Sequence, residues 1–181
     1  MTTFEIIYSF VLILLFTLIG SCFWYEKKAR ISPTPTLPWV RKVIIQELKA
    51  RLDPEKVYKF AELGCGWGGI NLILAKNFPN SSVIGYEISP FPWFFSKIRS
   101  FLKPKQVKIV KKSFFEQDLS GFDAVICYLS PWHMEELKPQ LALLKPGSLV
   151  ISNAFAIPGW EAVQILHTDV FMKIPIFIYR I

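Results

Sequence analysis

Cysteine is scarce in this chain, and its positions exclude more than they suggest. Cys22 falls in a long apolar run, Cys65 in a glycine-rich turn and Cys127 in a second apolar run. That is neither a disulfide framework nor metal-ligand spacing, so all three read as small buried hydrophobes. No catalytic triad and no metal-ligating cluster is visible, and no metal is expected. Internal repeats and low-complexity segments are absent too, which sets aside repeat architectures. Length sets a further limit, because 181 residues, 52% of them hydrophobic, supply one good core and hardly two.

Charge is missing where it matters most. "IIYSFVLILLFTLIGSCFWY", Ile6 to Tyr25, carries none and is long enough to cross a bilayer as a helix, with Trp24 and Tyr25 at one end as interfacial rings. A cleaved signal peptide normally starts with positive charge, whereas Glu5 is the sole charged side chain before this run. The "IGSC" ending at Cys22 resembles a lipoprotein cleavage site only faintly and lacks the same basic start. The expectation is therefore a retained membrane anchor over residues 1–30. Lys27, Lys28 and Arg30 follow it and keep the remainder on the cytoplasmic or matrix side. Pro33, Pro35 and Pro38 mark residues 31–38 as an extended linker, and residues 39–181 as the globular domain. The net charge of +7 suits an anionic membrane surface. The cluster Lys103, Lys105, Lys108, Lys111 and Lys112 reads as a solvated face rather than a nucleic-acid site.

The domain alternates helix and strand. A helical spacing in "WVRKVIIQELKARL" is followed by the strand "VYKFAEL", a glycine turn, the helix "INLILAKNF" and the strand "SVIGYEI". Next come the helix "FPWFFSKIRSFL", the strands "QVKIV" and "FDAVICYL", a helix over about 133–144 and the strand "SLVISNAF". This rhythm predicts an α/β, Rossmann-like, mostly parallel sheet with helices on both faces. "AVQILHTDVF" and "IPIFIYRI" break it as two strand-like runs joined by a short connection, which predicts an antiparallel C-terminal hairpin.

"AELGCGWGGI", residues 61–70, packs one acid and four glycines into a strand-to-helix turn. Such a turn brings backbone N–H groups and the positive helix end against a ligand. Gly64, Gly66 and Gly69 satisfy the dinucleotide G-x-G-x-x-G, while Glu62, Gly64, Gly66 and Gly68 satisfy E-x-G-x-G-x-G. A carboxylate just before the loop repels a pyrophosphate and attracts the ammonium and sulfonium of S-adenosylmethionine. Glu87, at the end of the next strand, can accept both ribose hydroxyls in either class. Size decides, since a dinucleotide oxidoreductase normally needs a second half-fold or a substrate domain that this length cannot hold.

At these residues the chain resembles the class I S-adenosylmethionine-dependent methyltransferases. "AELGCGWGG" looks like their glycine-rich motif, "GYEIS" like their ribose-binding motif and "LALLKPGSLVISN" like the segment before their final hairpin. More narrowly, the anchor, "SPTPTLPWV", "FFEQDLSGFDAV" and "IPGW" are similar to the small membrane-anchored lysine methyltransferases that include the mitochondrial ATP synthase c-subunit methyltransferase. The resemblance implies S-adenosyl-L-methionine as cofactor, held by Glu62, Gly64, Cys65, Gly66, Gly68, Glu87 and Ile88. Where the family usually sets an acid against the adenine amino group, this chain has Ser113. Phe114 is placed to stack on the ring, and Asp118 is a substitute for the missing acid.

Methyl transfer is an in-line displacement, so an enzyme supplies alignment, desolvation and a neutral nucleophile. The "YLSPWH" stretch after the fourth strand is expected at the cofactor, with Ser130 and Pro131 orienting an amine and Trp132 walling the pocket. The same Ser130 and Pro131 also suit a helix cap and start. His133 reads as structural, and Trp160 as either an acceptor-channel wall or a core cover. The implied acceptor is a protein lysine, membrane-associated like the enzyme. Two other readings are a lipid or small membrane-soluble acceptor, and a methyltransferase-fold scaffold without catalysis.

Overall fold

In a computed structural model that describes residues 2–29, 34–103, 105–168 and 173–181, the apolar runs become the strands of one sheet. β1 (Lys59–Leu63), β2 (Ser82–Tyr86), β3 (Val107–Val110), β4 (Ala124–Cys127) and β5 (Leu149–Asn153) are parallel. β6 (Gln164–His167) and β7 (Pro175–Arg180) form the expected antiparallel hairpin, with β7 against β5 and β6 at the edge. The order is β3-β2-β1-β4-β5-β7-β6. β4 and β5 are buried along their whole length, as strands covered on both faces must be.

The helices are α1 (Thr3–Ala29), α2 (Pro38–Arg51), α3 (Gly69–Asn77), α4 (Pro90–Ser100) and α5 (Pro131–Leu141). Val40, Ile44 and Leu48 of α2 and Ile70 and Leu74 of α3 pack on one face, against Phe60, Val83, Ile126 and Ile151, with Trp93 of α4 beside them. Met134, Leu137 and Leu141 of α5 pack on the other face, against Ala61, Leu63, Val125 and Val150. The second face is thinner, because a single 3-10 turn, Phe114–Glu116, stands between β3 and β4. Loop side chains complete that layer, among them Ile157 and Trp160. Trp160 meets Tyr179 edge-on at 6.1 Å, so it covers the core.

Two boundaries differ from expectation. Thr34 to Leu37 carry no regular structure, but Pro38 is already the first residue of α2, where its fixed φ suits a helix start. Residues 31–33 of the expected linker lie outside the described residues. α5 begins two residues before the expected position because Ser130 caps it and Pro131 opens it.

The expected membrane span coincides with the longest helix. Its stretch lies within α1, yet among the described residues no helix is long and apolar enough to cross a membrane. The side chains of residues 18, 19, 21–23 and 25–29 lie outside the description.

One buried hydrogen bond fastens the hairpin to the thin face. Tyr179 Oη accepts the Ile157 N–H at 2.8 Å, with both residues almost wholly buried. Tyr179→Phe would leave that N–H without a partner, and we expect chemical denaturation to show a loss of about 1–3 kcal/mol.

Candidate active site

The strand order reverses between β1 and β4, and the carboxyl ends of the parallel strands open a crevice there, the usual ligand position in such a sheet. Glu62 leaves β1 into the glycine turn, and its Oε2 accepts the Asn71 N–H at 3.1 Å, in the first turn of α3. Burial pushes the Glu62 carboxyl well above the ordinary carboxylate range. The Asn71 hydrogen bond and the Arg41 charge oppose that rise, and the Glu87 charge adds to it. Glu87 receives the Gly66 N–H on one oxygen at 2.8 Å and the Ser89 N–H on the other at 2.7 Å. A carboxylate offers about four lone-pair sites, so both oxygens retain capacity for ligand hydroxyls.

Gly66 and Gly68 explain why the turn must be glycine. Both have left-handed φ, 49° and 73°. A Cβ at Gly66 would meet nothing within 4 Å, so its backbone borders open space. At Gly68 a Cβ would stand 2.9 Å from the Ser96 Cβ, which fixes how closely the turn approaches α4.

The crevice encloses about 490 Å³, within the roughly 300–1,000 Å³ of small-molecule sites. Glu62, Gly64, Cys65, Gly66, Glu87, Ile88, Ser113, Phe114 and Trp132 line it, as expected. Gly68 does not; it caps α3 in the left-handed conformation and packs on Ser96. Ser130 and Pro131 are not in the wall either. Ser130 Oγ lies 2.6 Å from His133 Nδ1 and accepts the His133 N–H at 3.5 Å, so the hydroxyl is engaged in capping α5. Asp118, the substitute acid, is exposed, holds the Ser120 N–H at 2.9 Å in a local turn and is not part of the wall, though its charge reaches Tyr86, which is. The Cys127 thiol is pushed up to about 12 by burial, and burial raises Cys65 as well, so neither is a nucleophile.

Four wall features carry no sequence signal of their own. Thr34 to Thr36, Arg41 and Arg99 line the cavity from the chain before α2, from α2 and from α4, and His133 with Phe115 lines it from the side of β4. Arg41 Nε donates to Thr36 O at 2.6 Å, and Arg99 donates to Trp67 O at 3.0 Å. Burial and the charge of Arg99 lower the Arg41 pKa, while Glu62 raises it. Two cations facing one cavity also bordered by the carboxylates of Glu62, Glu87 and Glu136 form a site for a zwitterion.

The family model described as the ANTKMT methyltransferase domain matches residues 62–164, more than half of the chain. The chain belongs to the ANTKMT methyltransferase family. A curated relative, the protein-lysine N-methyltransferase of Saccharolobus islandicus (strain REY15A), is 32% identical over 148 residues, covering 77% of this chain and 88% of that protein. Among solved structures, an RNA methyltransferase from Salinibacter ruber in complex with S-adenosyl-L-homocysteine superposes with a TM-score of 0.70. It has 24% identity and covers 82% of this chain and 94% of that one. The precorrin-6y C5,15-methyltransferase of Geobacter metallireducens gives a TM-score of 0.61 at 17% identity, over 80% and 92% of the two chains. These structural likenesses concern the fold.

As an ANTKMT-family methyltransferase the chain uses S-adenosylmethionine, and the wall fits it. Glu87 suits the ribose hydroxyls, Glu62 the cationic end, Arg41 and Arg99 the carboxylate, and Ser113 and Phe114 the adenine. When bound, the cofactor supplies an electrophilic methyl carbon on a sulfonium. The Gly64–Gly68 turn would orient that end through its backbone, and the aromatic side of the cavity would exclude water from the path of the nucleophile.

Glu62 links binding to pH. Its ionised form is disfavoured in the free protein, since burial raises its folded pKa above the unfolded one. Ionisation therefore destabilises the ligand-free fold increasingly as pH climbs from the unfolded toward the folded pKa. A bound cation reverses that preference. Calorimetry in buffers of different ionisation enthalpy should show proton release on cofactor binding below the free Glu62 pKa, with affinity rising as pH climbs toward that pKa and levelling off above it. Glu62→Gln should abolish the release, raise the melting temperature of the ligand-free protein at neutral pH and weaken binding roughly ten- to a hundredfold, matching the ~1.5–3 kcal/mol of a charged hydrogen bond.

Proposed function

We propose that this methyltransferase acts on a protein lysine amine and that α1 holds it at a membrane, with the catalytic domain on the cytoplasmic or matrix side. The observation that carries the acceptor reading is the aromatic wall at the end of β4, together with the lysine specificity in the name of the Saccharolobus relative. Phe115 stacks on His133 at 5.9 Å and 17°, Tyr128 on Phe155 at 6.4 Å and 19°, and Trp132 stands exposed at the rim. A lysine amine has a reference pKa of about 10.4 and attacks only when neutral. Apolar and aromatic surroundings favour that form, and ring faces also accommodate the methylated ammonium product.

The membrane reading rests on the uncharged stretch from Ile6 to Tyr25 and on the exposed apolar side chains of α1, among them Phe4, Phe10, Phe16 and Trp24. An enzyme and substrate held in one bilayer meet at raised effective concentration.

The test is transfer of isotope-labelled methyl from S-adenosylmethionine into membranes of cells lacking the enzyme. Methyl-lysine should appear in acid hydrolysates of a membrane protein, and Glu87→Ala should abolish it. Label recovered in the lipid extract would replace the lysine reading with a lipid acceptor, and no label in any fraction would favour the scaffold.

A further inference from the structure

α4 turns more apolar surface outward than inward. Trp93 packs on the core and Pro92, Ser96 and Ser100 are buried, while Phe94, Phe95 and Ile98, continued by Phe101 and Leu102, face outward. Their exposure runs from 41% at Phe95 to 73% at Leu102. Spacings of one, four, seven and eight residues place them on a single stripe. Small inward residues have a local reason, since the glycine turn approaches so closely that a Cβ at Gly68 would strike Ser96. That reason does not account for five large apolar side chains turned away from the core.

Two further observations say what covers the stripe. α1 touches α4, and both helices carry exposed large apolar side chains. Around it, residues 88–115 contain seven cations, Lys97, Arg99, Lys103, Lys105, Lys108, Lys111 and Lys112, and no acid. Lys103 and Lys105 follow the helix directly, Lys108 is exposed on the edge strand β3 beside it, and the Lys111 Nζ sits 5.3 Å from the Trp93 ring of α4. Phenylalanine and leucine on one side with lysine and arginine at the flanks is the composition of a helix lying in a lipid interface.

We propose that α4 with the turn after it docks in the plane of an anionic bilayer, apolar stripe in the acyl boundary and lysines on the headgroups. The inference deepens the membrane part of the functional reading and rests on it. It sets the orientation of the active site, because Trp67 of the cavity wall packs on Phe91 and Phe95 at 5.7 and 5.6 Å. The cofactor mouth thereby opens at headgroup level, where a lysine at the end of a membrane helix would be presented.

The test uses the full chain with Cys22→Ser, carrying an environment-sensitive fluorophore at Ile98→Cys, at Phe10→Cys in α1, or at Leu143→Cys beyond α5. Each is added to vesicles of phosphatidylcholine with or without phosphatidylglycerol, containing spin-labelled quencher lipid. The Ile98 probe should shift to the blue and be quenched in anionic vesicles, and the Leu143 probe should not. Replacing Lys103, Lys105 and Lys108 by Gln should weaken that docking by roughly fivefold per lysine. No quenching at Ile98 while Phe10 is quenched overturns the docking of α4 and leaves the α1 reading standing. Quenching at Ile98 without quenching at Phe10 supports the docking and removes the α1 anchor. A blue shift at Ile98 that needs no vesicles and grows with protein concentration marks a second copy of the chain as the occupant, and overturns the proposal.

Discussion

Two backbone N–H groups converge on the Glu87 carboxylate, and much of the site depends on that convergence. The Gly66 N–H belongs to the turn after β1 and the Ser89 N–H to the start of α4. One side chain therefore holds the glycine turn, the end of β2 and the entry of α4 in fixed relation. Without it, the turn would have to find other acceptors for donors that the fold places away from bulk water. The same carboxylate keeps free lone pairs toward the cavity, so the anchor of the loop is also a ligand group. Glu62 works likewise from β1, bonding the first turn of α3 while lining the cavity. Structural and cofactor duties are fused in both acids.

Much of this arrangement was legible in the sequence. Apolar runs and helical spacings located most strand and helix ends to within about two residues, while α5 ends three residues before the expected Leu144 and β6 ends at His167, short of the expected run. E-x-G-x-G-x-G carried the turn, because left-handed backbone and close approach leave residue types little freedom there. Arg41, Arg99 and Thr34 to Thr36 were not legible. They come from separate elements and meet at the cavity only through packing, so no spacing between them exists to be read. Ser130 shows a different limit. A serine before a proline at a helix start is equally consistent with a cap and with an active-site hydroxyl, and its bond to His133 decides for the cap.

The uneven covering of the sheet bears on how acceptors are chosen. The face under α2, α3 and α4 is layered by helices, whereas the α5 face is completed by the Phe114–Glu116 turn and the loop around Ile157. The residues that suit the cofactor lie chiefly on the helical side, in the turn and the ends of β1 and β2. Phe115, Tyr128 and Phe155, which shape the other side, stand on short connections. Loops tolerate substitution and length change more readily than the elements they join. A turn fixed by packing beside a wall carried on loops is an arrangement in which one half of the cavity can vary while the fold stays the same.

Thr34 to Thr36 stand between α1 and the domain, and they are also part of the cavity wall, tied to Arg41 through the Thr36 carbonyl. The segment that enters the domain therefore also builds the chamber, so a change in the length or composition of residues 34–36 alters the shape of the cavity and the seating of Arg41 together.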